Sequence, residues 1–208
     1  MIITPYEQEL DLLGMVAPHR SPGLHMSEIY NDYYKRADPK RYRGGPLDMV
    51  RMAAGTVLES VFEQALAIGM NGERPGEFVT KEGIFYSPDI IAFEGKITVL
   101  GEIKATWMSA KEVPVSPSQS KKTGVPSNWD GSSLASFPKQ FDKYFTQMKC
   151  YCYHLRTPYA RLLVYFVNGN WKPPAPVFLA WNFVFTAMEL TEEWSAMRNH
   201  AQKVMKVL

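Results

Sequence analysis

Only two cysteines occur in 208 residues. Cys150 and Cys152 fall on a stretch read as helix, where positions two apart point to different sides, so no disulfide between them is expected. A reducing, cytoplasmic setting follows from that scarcity. Charge of one sign is also lacking. The 23 basic and 21 acidic side chains leave a net charge of +2. Composition therefore does not announce a nucleic-acid partner, and any basic surface must be local. No apolar run approaches the roughly 18 residues that span a bilayer, so no membrane partner is expected. The opening Met1-Ile2-Ile3-Thr4-Pro5-Tyr6-Glu7 has neither a basic nor an apolar signal region, and no signal peptide is expected. No internal repeat is visible.

Against those absences stands a hydrophobic share of 46% with 13% aromatics. That composition suits a packed core, not a disordered chain. The length fits a single domain over 1–208 that buries roughly 70% of its unfolded surface. Within it, 1–46 reads as a helical, basic extension. Residues 47–208 read as an α/β core interrupted by a long loop at 108–137.

The most informative stretch runs from Ser87 to Lys104. Ile90 to Phe93 and Ile97 to Leu100 are β-formers, and a two-residue turn at Glu94-Gly95 makes them a hairpin. With Phe93 opposite Lys96, Asp89 faces Leu100 and Ser87 faces Glu102. Alternate side chains of a strand share a face, so Asp89, Glu102 and Lys104 emerge together. Ile90, Ala92, Ile97, Val99 and Ile103 fill the opposite face. A one-residue slip would bury the charges. Two carboxylates that close repel each other unless a cation lies between them, and hard oxygen ligands suit Mg²⁺ or Mn²⁺. A lysine beside such a metal can orient an attacking water, the set of groups that phosphodiester hydrolysis requires. Pro88 marks an edge or distortion just before the aspartate.

Along the rest of the chain, a short helix is read at Tyr6 to Leu13. Ser27 is read as the N-cap of a helix from Glu28 to Arg36. Lys35, Arg36, Lys40, Arg41 and Arg43 follow, interleaved with Tyr30, Tyr33, Tyr34 and Tyr42. The pattern suits either phosphate contact with base stacking or a solvated helix end. Residues 47–69 form an amphipathic helix with Leu58, Val61, Phe62, Ala65 and Leu66 as its apolar stripe. Glu59 lies at the stripe's edge and reads either as an exposed helix glutamate or as a third metal-site carboxylate, while Glu63 reads as an exposed helix glutamate. Residues 70–82 read as a loop leading into a strand near Glu77 to Thr80. The polar stretch from Ser109 to Ser136, with Trp107 just before it and Trp129, Lys111, Lys121 and Lys122 within it, reads as a flap over a strand or as a surface insertion. Residues 138–155 form a second helix. Phe141, Phe145, Met148, Cys152 and Leu155 make its core stripe, with Gln147 and Tyr151 beside it. His154 reads as a packing residue. Strands at Ala160 to Val167 and Val177 to Thr186 and a closing helix at Thr191 to Val207 complete a mixed sheet.

Pro88-Asp89 followed by Glu102-Ile103-Lys104 across a hairpin resembles the PD-(D/E)XK nuclease superfamily. Gly55-Thr56-Val57-Leu58-Glu59 is similar to the Gly-x-x-x-His/Glu helix of the RecB-like branch, with the glutamate of the lambda-exonuclease type. Gln147-Met148-Lys149-Cys150-Tyr151 fits that branch's Gln-x-x-x-Tyr. The resemblance implies a restriction-endonuclease-like core, a central mixed β-sheet flanked by helices. It implies a Mg²⁺- or Mn²⁺-dependent deoxyribonuclease of DNA recombination, repair or phage DNA processing, working in the cytoplasm of a prokaryotic or phage-infected cell. Asp89, Glu102 and Lys104 would be catalytic. Glu59, Asp89, Glu102 and the carbonyl of Ile103 would hold metal. Gln147, Tyr151, Arg41 and Arg43 would contact DNA carrying a free end or single-stranded region. The iron–sulphur cluster of some relatives needs four cysteines, which this chain lacks. An exonuclease is the first reading. A junction-resolving or restriction-type endonuclease, and an idle binding module, are the rivals.

Overall fold

The computed structural model describes residues 20–40, 46–129, 134–169 and 176–205. Helix α1 (Met26–Ala37) comes first. Its N-cap is His25, not Ser27, and Glu28 Oε2 accepts the His25 main-chain N–H at 2.9 Å. Ser27 instead accepts a hydrogen bond from Arg20 Nη1 at 3.0 Å. Helix α2 (Pro46–Gly69) leads into β1 (Gly72–Glu73), β2 (Phe78–Val79), β3 (Phe85–Tyr86), β4 (Ile90–Glu94) and β5 (Ile97–Thr106). After β5 come α3 (Pro117–Thr123), α4 (Asp142–Leu155), β6 (Tyr159–Phe166), β7 (Val177–Val184) and α5 (Ala187–His200). A π-helical turn at Ala201–Met205 extends α5.

Five strands form the central sheet in the order β1-β4-β5-β6-β7. Among the described strands of this sheet only β5 and β6 run parallel, and the crossover between them carries α3 and α4. The result is the expected mixed α/β fold, a central sheet flanked by helices. Strand β1 was not expected, since its residues read as loop. Gly72 permits it: a Cβ there would stand 2.7 Å from the Ile91 carbonyl oxygen, a distance side chains do not tolerate. Strands β2 and β3 pair with each other outside the main sheet.

The hairpin differs from its expected register by two residues. The turn is Gly95-Lys96, so Glu94 pairs with Ile97 and Ile91 with Leu100. Gly95 explains the choice: it has φ +65°, and a two-residue turn with a left-handed first position selects glycine there. A shift of two keeps every side chain on its face. Ile90, Ala92, Val99 and Ile103 do pack on one side, against Ala67 and Leu163, with Phe62, Leu66 and Met70 of the α2 segment over them. Leu100, Leu162, Val164 and Leu179 share the larger core on the other side with Phe145, Met148 and Tyr151 of α4.

Helix α2 is rotated from its expected orientation. Val61 is 59% exposed, and Ala65 is also exposed, while Ala53 and Ala67 are buried. The cause is a helix apolar on nearly every side. Val50, Met52, Val57 and Ile68 also lie outward, so periodicity alone does not select the packed face. The 108–137 segment is not simply a loop among its described residues. It carries α3, and Val113, Val115 and Val125 are buried in the larger core. Trp181 Nε1 donates to Pro114 O at 2.8 Å, and Gln119 Nε2 donates to Ala180 O at 2.7 Å, docking the segment on β7.

Candidate active site

Strand β4 begins at Ile90, opposite Gly101, while β5 runs on to Thr106. Beyond Gly101 that edge of β5 has no strand partner among the described residues. The N–H and C=O of one strand residue point the same way, so Ile103 and Ala105 offer both groups to the vacated edge. Two carboxylates take up the N–H groups. Asp89 Oδ2 accepts from Ile103 N at 2.7 Å, and Glu59 Oε1 accepts from Ala105 N at 2.8 Å. The break in pairing thus seats Asp89 from the hairpin and Glu59 from α2 on one strand edge.

Glu102 and Lys104 point to the α4 side of the same strand. Glu102 is wholly buried, and its Oε1 meets the Lys104 ammonium. Asp89 Oδ2 lies 3.7 Å from that ammonium. Glu102 Oε2 is buried with no hydrogen-bond donor. An unpartnered buried carboxylate oxygen is expensive. Burial, and then the Asp89 carboxylate, push the Glu102 pKa up to about 8 against the pull of Lys104. Burial, and then Asp89, also raise Glu63; burial raises Glu59 too, with Lys104 opposing. Burial works against the Lys104 ammonium, but Glu102, Asp89 and Glu59 outweigh it and hold its pKa well above the ordinary value. The site therefore carries more carboxylate than its lysine neutralises.

A cavity of about 730 Å³ opens over this group, lined by Glu59, Asp89, Lys104, Gln147 and Tyr151. A second, of about 710 Å³, continues from Glu59 and Lys104 toward Trp107 and Lys143. Asp89, Glu102, Lys104 and Glu59 are thus brought together, and Gln147 and Tyr151 form the wall facing them. Among the described residues, no three acidic, histidine or cysteine side chains converge as a ready-made metal cage. The donor set nonetheless suits a hard cation: the orphaned Glu102 oxygen, Asp89, and the Ile103 carbonyl on the same open edge.

Several expectations are corrected. Glu63 is not out in solvent: its side chain is 18% exposed, lines the first cavity and pairs with Arg74 at 2.6 Å. Arg74, just past β1, closes over that flank of α2. Two of the three tyrosines of α1, Tyr30 and Tyr34, pack inward instead of standing free for bases, while Tyr33 is exposed. Tyr30 OH donates to Gln147 Oε1 at 2.9 Å, and Tyr34 OH shares a hydrogen bond with Thr146 Oγ1 at 2.9 Å. Arg36 pairs with Asp32 at 2.7 Å, and Lys35 and Lys40 are exposed away from both cavities. Arg41 and Arg43 lie outside the described residues, as do the expected helix at Tyr6 to Leu13 and Tyr42. Lys111, Lys121, Lys122 and Trp129 are exposed and line neither cavity. His154 packs between Tyr86 and Trp194.

Residues not singled out for the site from sequence also line it: Arg20 and Ser27 from around α1, Thr56 and Ser60 from α2, and Lys143 from α4; Tyr30, read from sequence only as one of several stacking tyrosines, lines it too. Tyr30 is held by the Gln147 amide, whose Nε2 donates to Tyr151 OH at 3.4 Å. No local pattern marks these positions, because their partners lie far along the chain. Gly55 needs less than its motif suggests. A Cβ there would rest 3.9 Å from Trp107 and 4.0 Å from Ala105, ordinary contact distances.

No family model matches the sequence, and no curated protein matches it. Among solved structures the chain is similar to SSO0001, at 12% identity, covering 92% of this chain and 81% of that one, with a TM-score of 0.47. It is similar to LHK-Exo in complex with dAMP, at 16% identity over 88% of each chain, with a TM-score of 0.49. It is similar also to the alkaline exonuclease LHK-Exo from Laribacter hongkongensis, at 18% identity over 74% of this chain and 70% of that one, with a TM-score of 0.38. Among the described residues, no helix is long and apolar enough to cross a membrane.

Proposed function

We propose that this protein is a metal-dependent deoxyribonuclease that hydrolyses phosphodiester bonds, acting as an exonuclease on DNA with a free end or single-stranded region. One observation carries the reading. A fully buried glutamate, Glu102, has an oxygen without a donor, beside Asp89 and bound to Lys104. A structural ion pair has no use for the surplus carboxyl groups, whereas a divalent cation does, and a cation held there would in turn attract a phosphodiester. The resemblance of Pro88-Asp89, Glu102-Ile103-Lys104 and Gln147 through Tyr151 to PD-(D/E)XK nucleases points the same way.

Asp89, Glu102 and the Ile103 carbonyl would hold Mg²⁺ or Mn²⁺, with Glu59 completing the set. A divalent ion held there supplies a more acidic bound water and positive charge for the phosphate. Lys104, between two carboxylates, would orient the attacking water and hold its proton network at Nζ. Tyr30 holds the Gln147 amide by its oxygen, which leaves Nε2 directed toward the cavity wall and Tyr151. Gln147 and Tyr151 would then steady the substrate backbone.

The test is cleavage of end-labelled linear DNA and covalently closed circles with Mg²⁺, Mn²⁺ or chelator. Loss of linear DNA with closed circles intact, and no cleavage in chelator, is the expected result. Rapid nicking of closed circles would make the protein an endonuclease. Full cleavage in chelator, or none with any metal, would overturn the reading.

A further inference from the structure

Lys143 stands apart from the other part-buried lysines of β5 and α4. Lys104 meets Glu102 and Asp89, and Lys149 pairs with Glu193 at 3.2 Å. Lys143 has no carboxylate at ion-pair distance among the described residues. Its ammonium is 5.2 Å from the centre of the Tyr144 ring, and the Lys104 ammonium is 5.8 Å from the same centre. Burial, and then the Lys104 charge, press the Lys143 pKa down, with Glu59 alone opposing. A partly desolvated cation beside another cation is unfavourable unless an anion joins them.

The placement shows where such an anion would lie. The two cavities share a wall formed by Arg20, Ser27, Tyr30, Thr56, Glu59 and Lys104. A strand whose reacting phosphate sits at Asp89 and Lys104 in the first cavity has the second as its continuation. There, beyond the shared wall, Lys143 and Arg51 are the cations, Lys143 the part-buried one and Arg51 exposed, and Trp107 and Met52 are apolar wall. We propose that Lys143 is a phosphate-holding residue that takes the phosphodiester neighbouring the one at Lys104, on the side of the second cavity. The proposal rests on the nuclease reading of the site. It makes Lys143 a positioning residue with no part in activating water. The cation–π contact with Tyr144 holds the ammonium in place when no strand is bound.

The test compares wild type, K143M, K143R and K203M. Methionine keeps the apolar stem over Tyr144 and removes the charge, and arginine restores a cation. Lys203 is exposed and lines neither cavity, so K203M reports the loss of one remote charge. Binding of a single-stranded oligodeoxynucleotide is followed by fluorescence anisotropy in Ca²⁺ across a salt series, and cleavage in Mg²⁺ across DNA concentrations. Loss of one single-strand phosphate contact should flatten the log–log salt slope by about 0.7. K143M should weaken binding about tenfold at low salt, the scale of one charge-assisted hydrogen bond. Its KM should rise while the rate at saturating DNA changes little. K143R should restore both slope and KM, which also shows that the site folds around position 143. A K143M slope equal to that of wild type or K203M overturns the proposal, as does a fall in kcat with KM and slope unchanged. If wild type cleaves DNA and K143M behaves like it, Lys143 alone is misassigned. If wild type neither binds nor cleaves, the nuclease reading fails and this proposal with it.

Discussion

Asp89 closes the edge of β5 by accepting the main-chain N–H of Ile103 at 2.7 Å. The aspartate thus stands where the next residue of β4 would have continued the ladder. The same oxygen lies 3.7 Å from Lys104. One carboxylate therefore terminates a strand pairing and contributes to the charged centre.

That double role separates two substitutions. Asp89→Asn keeps an oxygen for Ile103 and should melt close to wild type, yet lose DNA cleavage. Asp89→Ala leaves the N–H without its partner and should lose stability by about 1–3 kcal/mol, the cost of an unsatisfied buried donor, in addition to activity. Thermal melts beside a cleavage assay check this. Equal melting of the two variants would show that the Ile103 bond is not stabilising.

Glu59 and Glu63 lie one turn apart on α2 and both line the first cavity, but their partners differ. Glu59 binds the β5 main chain at Ala105, while Glu63 is tied to Arg74. Glu59→Gln keeps an oxygen for Ala105 and removes the charge, so cleavage should fall by about 10²-fold or more. Glu63→Gln loosens a half-buried ion pair and should cost at most about 1 kcal/mol of stability, with a small effect on rate. Rates measured across Mg²⁺ concentrations decide. A larger loss from Glu63→Gln would move the third acidic position one turn along the helix.

Surplus carboxylate at Glu102 predicts a stability response to metal. Mg²⁺ at about a hundred times its Kd should add about 2.7 kcal/mol to unfolding, seen as a raised Tm over chelator-treated protein. Glu102→Gln removes the buried carboxyl group that a metal would ionise and should abolish the Tm difference. Lys104→Ala keeps the carboxylates and should keep the difference while losing the chemical step. A Tm in wild type indifferent to Mg²⁺ and Mn²⁺ would mean that the Glu102 oxygen serves no cation.

The common face of Asp89, Glu102 and Lys104 follows from sequence because strand side chains alternate with a period of two. The expected turn at Glu94-Gly95 and the observed one at Gly95-Lys96 differ by a two-residue register shift, which leaves that face unchanged. The α4 stripe is equally local: Phe145, Met148 and Cys152 are buried as their spacing implies. Tertiary packing decided the rest. Helix α2 is apolar on too many sides for periodicity to choose, and the contact with Ile90, Ala92 and Ile103 rotates Phe62 and Leu66 inward and leaves Val61 out. Glu63 is drawn into the cavity wall by Arg74, a residue beyond β1. Tyr30 belongs to the site through Gln147, 117 positions away. Lys143 belongs to it by sharing the Tyr144 ring with Lys104. Local periodicity records which face a side chain takes on its own element. It carries no information on which distant element that face will meet, and this site is assembled where such faces meet.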